Sequence, residues 1–179
     1  MRPPAVVAAL VAAAACTTVS VPESLDPASI PAYRLLRPGV AGAGQPIPQA
    51  VARLKDMGFR TVVNIRTEKE GAAQERAAVE AQGLRYVWVP VSADSFSAAD
   101  VDAVQEVLSD RSSDPVLLHC ASANRVGAVW AVIQSREGKT LDEALAAGRA
   151  AGLHSPQMEA AVRRVLGAPE LPAGAPVNP

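Results

Sequence analysis

Short apolar runs alternate along the chain with longer stretches in which apolar residues recur every three or four positions. The runs at 61–65, 86–89 and 116–118 predict strands, because they are rich in β-branched residues or apolar throughout. The longer stretches predict helices. These lie between 46–48 and Gly58, at 68–82, 97–108 and 126–133, and from Thr140-x-x-Glu143 and Ser155-Pro156 onward. The alternation predicts a single-domain α/β fold with a mainly parallel central sheet flanked by helices.

The third predicted strand ends in His119-Cys120, and a short polar loop leads from there into the helix at 126–133. In a parallel sheet, ligands bind beyond the carboxyl ends of the strands. Backbone N–H groups in such a loop can hold an oxyanion and favour the thiolate form of a cysteine. Arg125 adds a planar cation that can bind two phosphate oxygens at once. The loop therefore predicts phosphoryl transfer through a cysteinyl-phosphate intermediate. A surface salt bridge is the alternative for Arg125 alone, but its place in a short loop after His119-Cys120 favours the functional interpretation.

The roles in this predicted site divide between side chains and backbone. Cys120 is the expected nucleophile, and Arg125 is the expected cation on the transferred group. His119 is grouped with the substrate-binding residues, and we expect it to orient the loop through hydrogen bonds. The other residues expected to bind the substrate are those of the loop itself, Ala121, Ser122, Ala123 and Asn124.

Composition narrows the possible partners. Hydrophobic residues make up 49% of the chain and aromatic residues only 3%, which predicts a core of small side chains. The net charge is −1 and no cluster of Lys and Arg stands out, which argues against a nucleic-acid partner. The two histidines, His119 and His154, lack metal-ligand spacing, so we expect no metal and no other cofactor. We also expect a monomer.

The amino-terminal residues 1–15 predict an export signal, because one arginine precedes an apolar run that is too short to span a bilayer. Cys16 follows three alanines, a pattern that resembles a bacterial lipobox. In that interpretation Cys16 is lipidated, and the protein is periplasmic and anchored to the outer membrane by its lipid alone. The alternative is ordinary cleavage after Ala15, which also predicts export.

The rest of the chain divides at changes in composition. Residues 16–31 predict a tether, residues 32–166 the globular domain, and residues 167–179 a disordered, proline-rich tail. If Cys16 carries a lipid, Cys120 is the one free thiol of the mature chain, which contains two cysteines before modification.

The segment from His119 to Arg125 resembles the signature of the cysteine-dependent tyrosine/dual-specificity phosphatase superfamily. The chain is most similar to the bacterial branch that includes the phosphatase-like domain of beta-lactamase-hydrolase-like proteins. The resemblance spans residues 35–165. It also rests on Gly44-Gln45-Pro46, Val62 to Arg66 with Glu68 and Glu70, and Pro90-Val91. It implies a dual-specificity-phosphatase-like fold. It also implies an enzyme whose substrate is a phosphorylated small molecule or a phosphoprotein.

Such enzymes use a carboxylic acid to protonate the leaving group. In similar phosphatases an Asp lies on the loop after the strand that corresponds to 86–89. Asp94 occupies that kind of position, although it could also be a solvated loop residue or a helix cap. Asp100 is a weaker candidate, because it fits a capping box with Ser97.

Three features depart from the usual pattern of the superfamily. Arg125 lies five positions after Cys120 where six is typical, and the bacterial branch shares this shorter loop. The loop glycine is replaced by Ala123, which requires either a strained backbone or a different loop shape. The Ser or Thr that usually follows the arginine is Val126. These departures are compatible with a slow enzyme or with a phosphate-binding pseudoenzyme.

Two other functions compete with the phosphatase interpretation. A rhodanese-like sulfurtransferase also places a cysteine and an arginine at the ends of a six-residue loop after a strand. However, Asn64 stands where those enzymes have Asp, their Gly-His-Ile motif is absent, and helices alone are predicted after Val126. The second alternative is an exported anion-binding module without turnover, which Ala123 and Val126 favour.

Overall fold

The computed structural model describes residues 21–169 of the chain. Strands β1 to β5 are Arg34–Arg37, Val40–Ala43, Thr61–Asn64, Arg85–Trp88 and Val116–His119. Helices α1 to α6 are Pro48–Val51, Ala72–Glu80, Ala98–Ser109, Asn124–Arg136, Leu141–Ala150 and Pro156–Val165. Short 3-10 turns occur at Glu68–Glu70 and Arg111–Ser113. None of the helices within 21–169 has the length and apolarity needed to cross a membrane.

The five strands form one sheet in the order β1-β2-β5-β3-β4. The pairs β2–β5, β5–β3 and β3–β4 are parallel, and only β1 runs antiparallel to its neighbour. The predicted α/β class with a mainly parallel sheet flanked by helices is therefore confirmed. The sheet places the carboxyl ends of β2, β3, β4 and β5 at a common edge, where the Cys120 loop begins.

Apolar layers cover both faces of the sheet, which explains why the predicted strands are almost continuously apolar. One layer, formed largely with α3, α4, α5 and α6, contains Val63 and Leu118. The opposite layer, formed with α1 and α2, contains Val62 and Leu117. Successive residues of a strand point to opposite faces of the sheet. Each central strand therefore needs apolar residues at its odd and its even positions.

The β1–β2 hairpin was not predicted. Strand β2 reads VAGA, so it lacks the β-branched residues that identify the other strands. Its Gly42 cannot be larger, because a Cβ there would lie 2.8 Å from Cγ1 of Val126. Gly42 therefore allows α4 to pack closely on the strand, whereas Ala41 and Ala43 lie in the opposite layer, formed with α1 and α2.

Two predicted helices differ from the structure. The helix predicted at 68–82 is divided into the turn Glu68–Glu70 and α2, because Gly71 takes a left-handed conformation with φ 79°. The helix predicted before Gly58 is regular only over Pro48–Val51 and continues as turns. The division at Gly71 aims the side chain of Glu70 across the edge of the sheet.

The predicted tether overlaps a packed segment. Val21 and Ile30 are buried in the layer formed with α1 and α2, and the Tyr33 hydroxyl donates to the Pro22 carbonyl over 2.6 Å. Packing on the domain thus includes residues that were expected to belong to the tether. The export signal 1–15, Cys16 and most of the proline-rich tail lie outside the described residues.

Candidate active site

The Cys120 loop is fixed where it leaves β5. The Cys120 amide donates to the Ala43 carbonyl over 3.3 Å, and the Gln45 amide donates to the Ala121 carbonyl over 3.1 Å. Cys120 is a free, fully buried cysteine, whereas Ala121 and Ser122 are exposed. The segment 43–45 therefore holds the start of the loop against the sheet and leaves its next two residues open to solvent.

Ala123 adopts the strained conformation that its position requires. Its backbone has φ 66° and ψ −6°, a left-handed geometry that costs a residue with a Cβ about 1–2 kcal/mol. Its methyl group faces Gly152, where an added Cβ would lie only 2.6 Å from the Cβ of Ala123. Of the two possibilities raised by the sequence, the chain takes the strained backbone, and Gly152 makes room for the methyl group.

Arg125 is held by a two-pronged ion pair with Glu70. Its Nη1 donates to Glu70 Oε2 over 2.7 Å and its Nη2 to Glu70 Oε1 over 2.5 Å, while Nη1 also donates to the Val91 carbonyl over 3.0 Å. Burial alone would lower the pKa of Arg125, but the bonds to Glu70 and the nearby Cys120 sulfur raise it. The arginine is therefore a fixed cation beside the cysteine, not a loose surface charge.

Glu70 is itself held in place by Thr67. The amide and hydroxyl of Thr67 both donate to Glu70 Oε2 over 2.8 Å, which completes a capping box. The bond from Arg125 is the main reason why the pKa of Glu70 falls to about 2. Glu70 entered the sequence analysis only as part of a resembling segment. The Thr67-x-x-Glu70 capping pattern could have indicated its fixed position.

A buried polar network lies beneath the loop. Glu75 Oε1 lies 2.7 Å from Nε2 of His119 and accepts from Asn64 Nδ2 over 3.2 Å, and its Oε2 accepts from Arg66 Nη2 over 3.1 Å. Burial alone would raise the pKa of Glu75, but His119 and Arg66 outweigh that effect and lower it. The charged form of Glu75 is thus paired on both of its oxygens.

His119, which the sequence grouped with the substrate-binding residues, lies fully buried beneath the loop. One ring nitrogen meets Glu75, and the other lies 3.4 Å from the Cys120 carbonyl. These contacts agree with the expected orienting function. Sequence reasoning missed Glu75 altogether, because it lies 44 positions from His119 in the chain.

The same network unites motifs that are distant in sequence. Arg66 Nη1 donates to Gln45 Oε1 over 2.7 Å and to the Glu70 carbonyl over 2.6 Å. The Asn64 carboxamide oxygen accepts from the Arg66 amide over 2.9 Å. Gly44-Gln45-Pro46 and the Asn64-to-Arg66 segment therefore meet beside the loop that carries Cys120.

The side chain of Asn124 is also occupied within the protein. Its Oδ1 accepts from the amides of His154 and Ser155 over 2.9 Å and 3.1 Å, and its Nδ2 donates to the Ser155 hydroxyl over 2.9 Å. These bonds join the end of the Cys120 loop to the turn that precedes α6. The expected cap of α6 is confirmed, because the Ser155 hydroxyl accepts from the Met158 amide over 3.2 Å.

The two candidate acids have different surroundings. The Asp100 carboxylate accepts from the amide and hydroxyl of Ser97 over 2.9 Å and 3.0 Å, so Asp100 is a helix cap. Asp94 is exposed in a turn and accepts from Gln157 Nε2 over 3.1 Å. That turn follows Val91, whose carbonyl binds Arg125. Asp94 therefore does not cap α3, and it lies on the segment that continues from the Arg125 contact.

Val126, which stands where the superfamily has Ser or Thr, and Ser122 of the loop lie in different surroundings. Val126 is fully buried against Gly42, and Ser122 is exposed and bridges to Gly44. Among residues 21–169, no group of three His, Cys, Asp or Glu side chains is arranged to hold a metal ion.

The fold and this loop define a protein of the tyrosine/dual-specificity-like phosphatase class. The crystal structure of P. aeruginosa TpbA superposes on the chain with a TM-score of 0.64 at 23% identity, covering 85% of this chain and 94% of that one. The catalytic core of the S. cerevisiae PP-IP phosphatase Siw14 gives a TM-score of 0.62 at 12% identity, covering 74% of this chain and 83% of that one. These likenesses establish the fold.

Family membership is established by sequence. Residues 32–137 match the family model described as beta-lactamase hydrolase-like protein, phosphatase-like domain, and the chain belongs to that family. A beta-lactamase hydrolase-like protein of Agrobacterium fabrum is 29% identical over 54% of this chain and 23% of its own length. A beta-lactamase hydrolase-like protein of Xylella fastidiosa is 32% identical over 63% of this chain and 27% of its own length. The chain thus spans about a quarter of the length of these relatives.

Proposed function

We propose that this protein hydrolyses phosphate monoesters through a cysteinyl-phosphate intermediate. The observation that carries the proposal is the placement of buried Cys120 directly after β5, with Arg125 beside it and locked to Glu70. A nucleophilic sulfur, loop amides at a helix start and a fixed arginine are the components that phosphoryl transfer needs.

The proposed reaction has two steps. In the first, the Cys120 thiolate attacks phosphorus, so that the P–S bond forms as the P–O bond to the leaving group breaks, and Asp94 gives its proton to the departing oxygen. In the second, water attacks phosphorus, Asp94 takes a proton from the water, and the P–S bond breaks to regenerate the thiolate. Arg125 and the amides of 121–124 hold the remaining phosphate oxygens in both steps.

The ion pair with Glu70 explains how Arg125 can act without reorganisation. Glu70 engages both terminal nitrogens on one side of the guanidinium and thereby fixes its plane. The remaining N–H groups of the fork can bind two phosphate oxygens. Because the plane is set before substrate arrives, its ordering cost is not added to the reaction barrier.

The test is hydrolysis of para-nitrophenyl phosphate by the full chain, under reducing conditions and with a chelator present. Cys120→Ser is expected to abolish turnover, and acid quenching of the unaltered protein should trap a phosphate on Cys120 that mass spectrometry detects. Cys16→Ser, which changes the other cysteine of the chain, is the matched control and should retain turnover. Undiminished turnover in Cys120→Ser would rule out the proposed nucleophile.

The two alternative functions make different predictions for the same variants. A sulfurtransferase would move sulfur from thiosulfate to cyanide in a Cys120-dependent manner, and an anion-binding module would bind vanadate without turnover. In the described residues only helices α5 and α6 follow α4, which differs from the further strand of rhodaneses. Since Ala123 keeps a left-handed geometry, the loop retains a shape that glycine would have given it, which favours catalysis over binding alone.

We further propose that Cys16 is lipidated and that the domain works in the periplasm at the outer membrane. Val21, the first residue that the structure describes, is buried and lies five positions after Cys16. A fully extended chain of five residues reaches about 17 Å, so a lipid on Cys16 would hold the domain close to the bilayer. Cys16→Ser should move the protein from the membrane to the soluble periplasmic fraction. An unchanged distribution would contradict the anchor.

A further inference from the structure

We propose that Gln157 is the positioning residue for Asp94, and that residues 152–164 form a brace that sets Asp94 relative to Cys120. The inference rests on the proposed function, in which Asp94 protonates the leaving group. It comes from one short segment that contacts both the nucleophile loop and the turn that carries the candidate acid.

The amino-terminal part of the brace contacts the nucleophile loop. Asn124, the residue before Arg125, forms three hydrogen bonds with the backbone of His154 and with the backbone and hydroxyl of Ser155. Gly152 lies directly against the methyl group of Ala123. The turn between α5 and α6 therefore fits closely against the part of the loop that would surround the phosphate.

The carboxyl-terminal part of the brace forms hydrogen bonds with the turn that contains Asp94. Gln157 Nε2 donates to Asp94 Oδ1 over 3.1 Å, and Arg164 Nη2 donates to the Ala93 carbonyl over 3.3 Å. Gln157 and Arg164 lie seven positions apart on α6, which corresponds to two helical turns and to the same face of the helix. One face of α6 thus holds both the backbone and the carboxyl group of this turn.

The brace is anchored in the core. Met158 and Val162 of α6 are buried in the same apolar layer as Cys120, Val91 and Phe96. Close packing makes such an interior stiff. The spacing between the two gripped loops is therefore set by a helix fixed in the core, although the turn of Asp94 is itself exposed.

The bond from Gln157 also distinguishes the two oxygens of Asp94. Oδ1 accepts the amide hydrogen, whereas Oδ2 has no hydrogen-bond partner among residues 21–169. Oδ2 is then the oxygen free to carry the proton that the leaving group needs. Without Gln157, an exposed aspartate would sample several rotamers, and fewer of its orientations would deliver the proton.

The experiment compares two aryl esters with the full-length protein. Phenyl phosphate has a poor leaving group that needs the proton, whereas 2,4-dinitrophenyl phosphate has a good one that does not. Asp94→Asn should slow the first ester at least tenfold more than the second. Gln157→Leu should change turnover in the same direction, with a selective loss of about threefold to tenfold on phenyl phosphate. Arg164→Ala, which frees the Ala93 carbonyl, should give a smaller selective loss.

The matched control is Gln105→Leu. Gln105 is also a helical glutamine, on α3, and its side-chain oxygen accepts from Arg136 over 2.8 Å. It should leave both esters unchanged, and thermal unfolding should show that every variant is folded. Equal slowing of both esters by Gln157→Leu, or none, would overturn the brace. If Asp94→Asn itself shows no selectivity while turnover still needs Cys120, the assigned acid and the brace both fail but the cysteine chemistry stands.

Discussion

The two edges of the sheet carry similar residues in opposite environments. At the carboxyl edge, Arg66 and Glu75 are 2% and 8% exposed and are bound to each other and to their neighbours. At the amino edge, Lys55, Arg60 and Arg85 line an open cavity of about 540 Å³. There the pair of Arg85 with Asp110, at 3.4 Å, has both side chains about half exposed.

The difference between the edges lies in how firmly their charged groups are held. At the carboxyl edge, a cavity of about 220 Å³ is lined in part by Gln45 and Arg66 but by no residue of the Cys120 loop. Exposed charges are screened and free to move, whereas buried and mutually bound charges have fixed directions. Catalysis needs fixed directions, so the better-ordered edge is the one that can perform it.

The largest effect should come from removing a buried charge. Arg66→Met leaves Glu75 without its arginine and should destabilise the protein by about 3–5 kcal/mol. Arg85→Met removes an exposed pair at the other edge and should cost less than about 1 kcal/mol. Urea unfolding followed by circular dichroism measures both losses. Similar losses at the two edges would break the distinction between them.

The next effect concerns activity. Arg125→Lys keeps the charge but cannot bind Glu70 with two prongs and phosphate at the same time, so turnover should fall about 10²–10³-fold. Arg60→Lys, at the amino edge, is the matched control and should leave turnover of para-nitrophenyl phosphate unaltered. Full activity in Arg125→Lys would show that the fork geometry is unnecessary.

The two edges should also differ in how much their carboxyl groups contribute to the pH dependence of stability. The pKa of Glu70 is lowered from 4.5 to about 2 in the folded protein, so the unfolded chain binds this proton more readily. The stability that Glu70 supplies is therefore present above pH 4.5 and is lost as the pH falls toward about 2.

Glu70→Gln should remove this part of the acid sensitivity, which we expect to be about 1–2 kcal/mol because the carboxyl group is partly exposed to solvent. The pKa of Asp110 is also lowered, chiefly by Ser112. Asp110 lies at the exposed amino edge, so Asp110→Asn should change the acid dependence less. Urea unfolding at a series of pH values tests both variants, and a larger change for Asp110 would reverse the comparison.

The features that sequence predicted are the ones encoded locally. The alternation of strands and helices, the Ser97 and Ser155 caps, and the position of Cys120 after a buried strand all follow from residues within a few positions of one another. The positive φ at Ala123 was one of two possibilities that its place in the loop allowed. Short-range patterns of this kind fix local geometry without knowledge of the tertiary structure.

The features that sequence missed depend on distant partners. Glu75 looks like any helical glutamate until the sheet brings His119 against it, 44 positions away. Strand β2 carries no strand signal, and the approach of Val126 that requires its Gly42 exists only in the folded chain. The contacts of Asn124 with His154 and Ser155 were not foreseen either, because they arise only once α5 has reversed the chain.

The smallest predicted effect is a coupling within the carboxyl edge, between Ala123 and Gly152. Gly152→Ala should destabilise the protein by about 1–3 kcal/mol, because the residue has φ 116° and its new Cβ would lie 2.6 Å from that of Ala123. Ala123→Gly alone should change stability by less than about 1 kcal/mol, since relief of strain is offset by greater freedom of the unfolded chain.

In the double variant, the loss caused by Gly152→Ala should shrink by about 1 kcal/mol, because the methyl clash is gone while the backbone strain remains. Gly138→Ala provides the control: its φ is 97°, but nothing lies within 4 Å of the added Cβ. Its cost is strain alone and should not depend on residue 123. Strictly additive losses for Ala123 and Gly152 would mean that Gly152 is required for its φ or for its contact with the backbone of residue 123, whose carbonyl oxygen would lie 3.0 Å from the new Cβ. The methyl group of Ala123 would then need no room made for it.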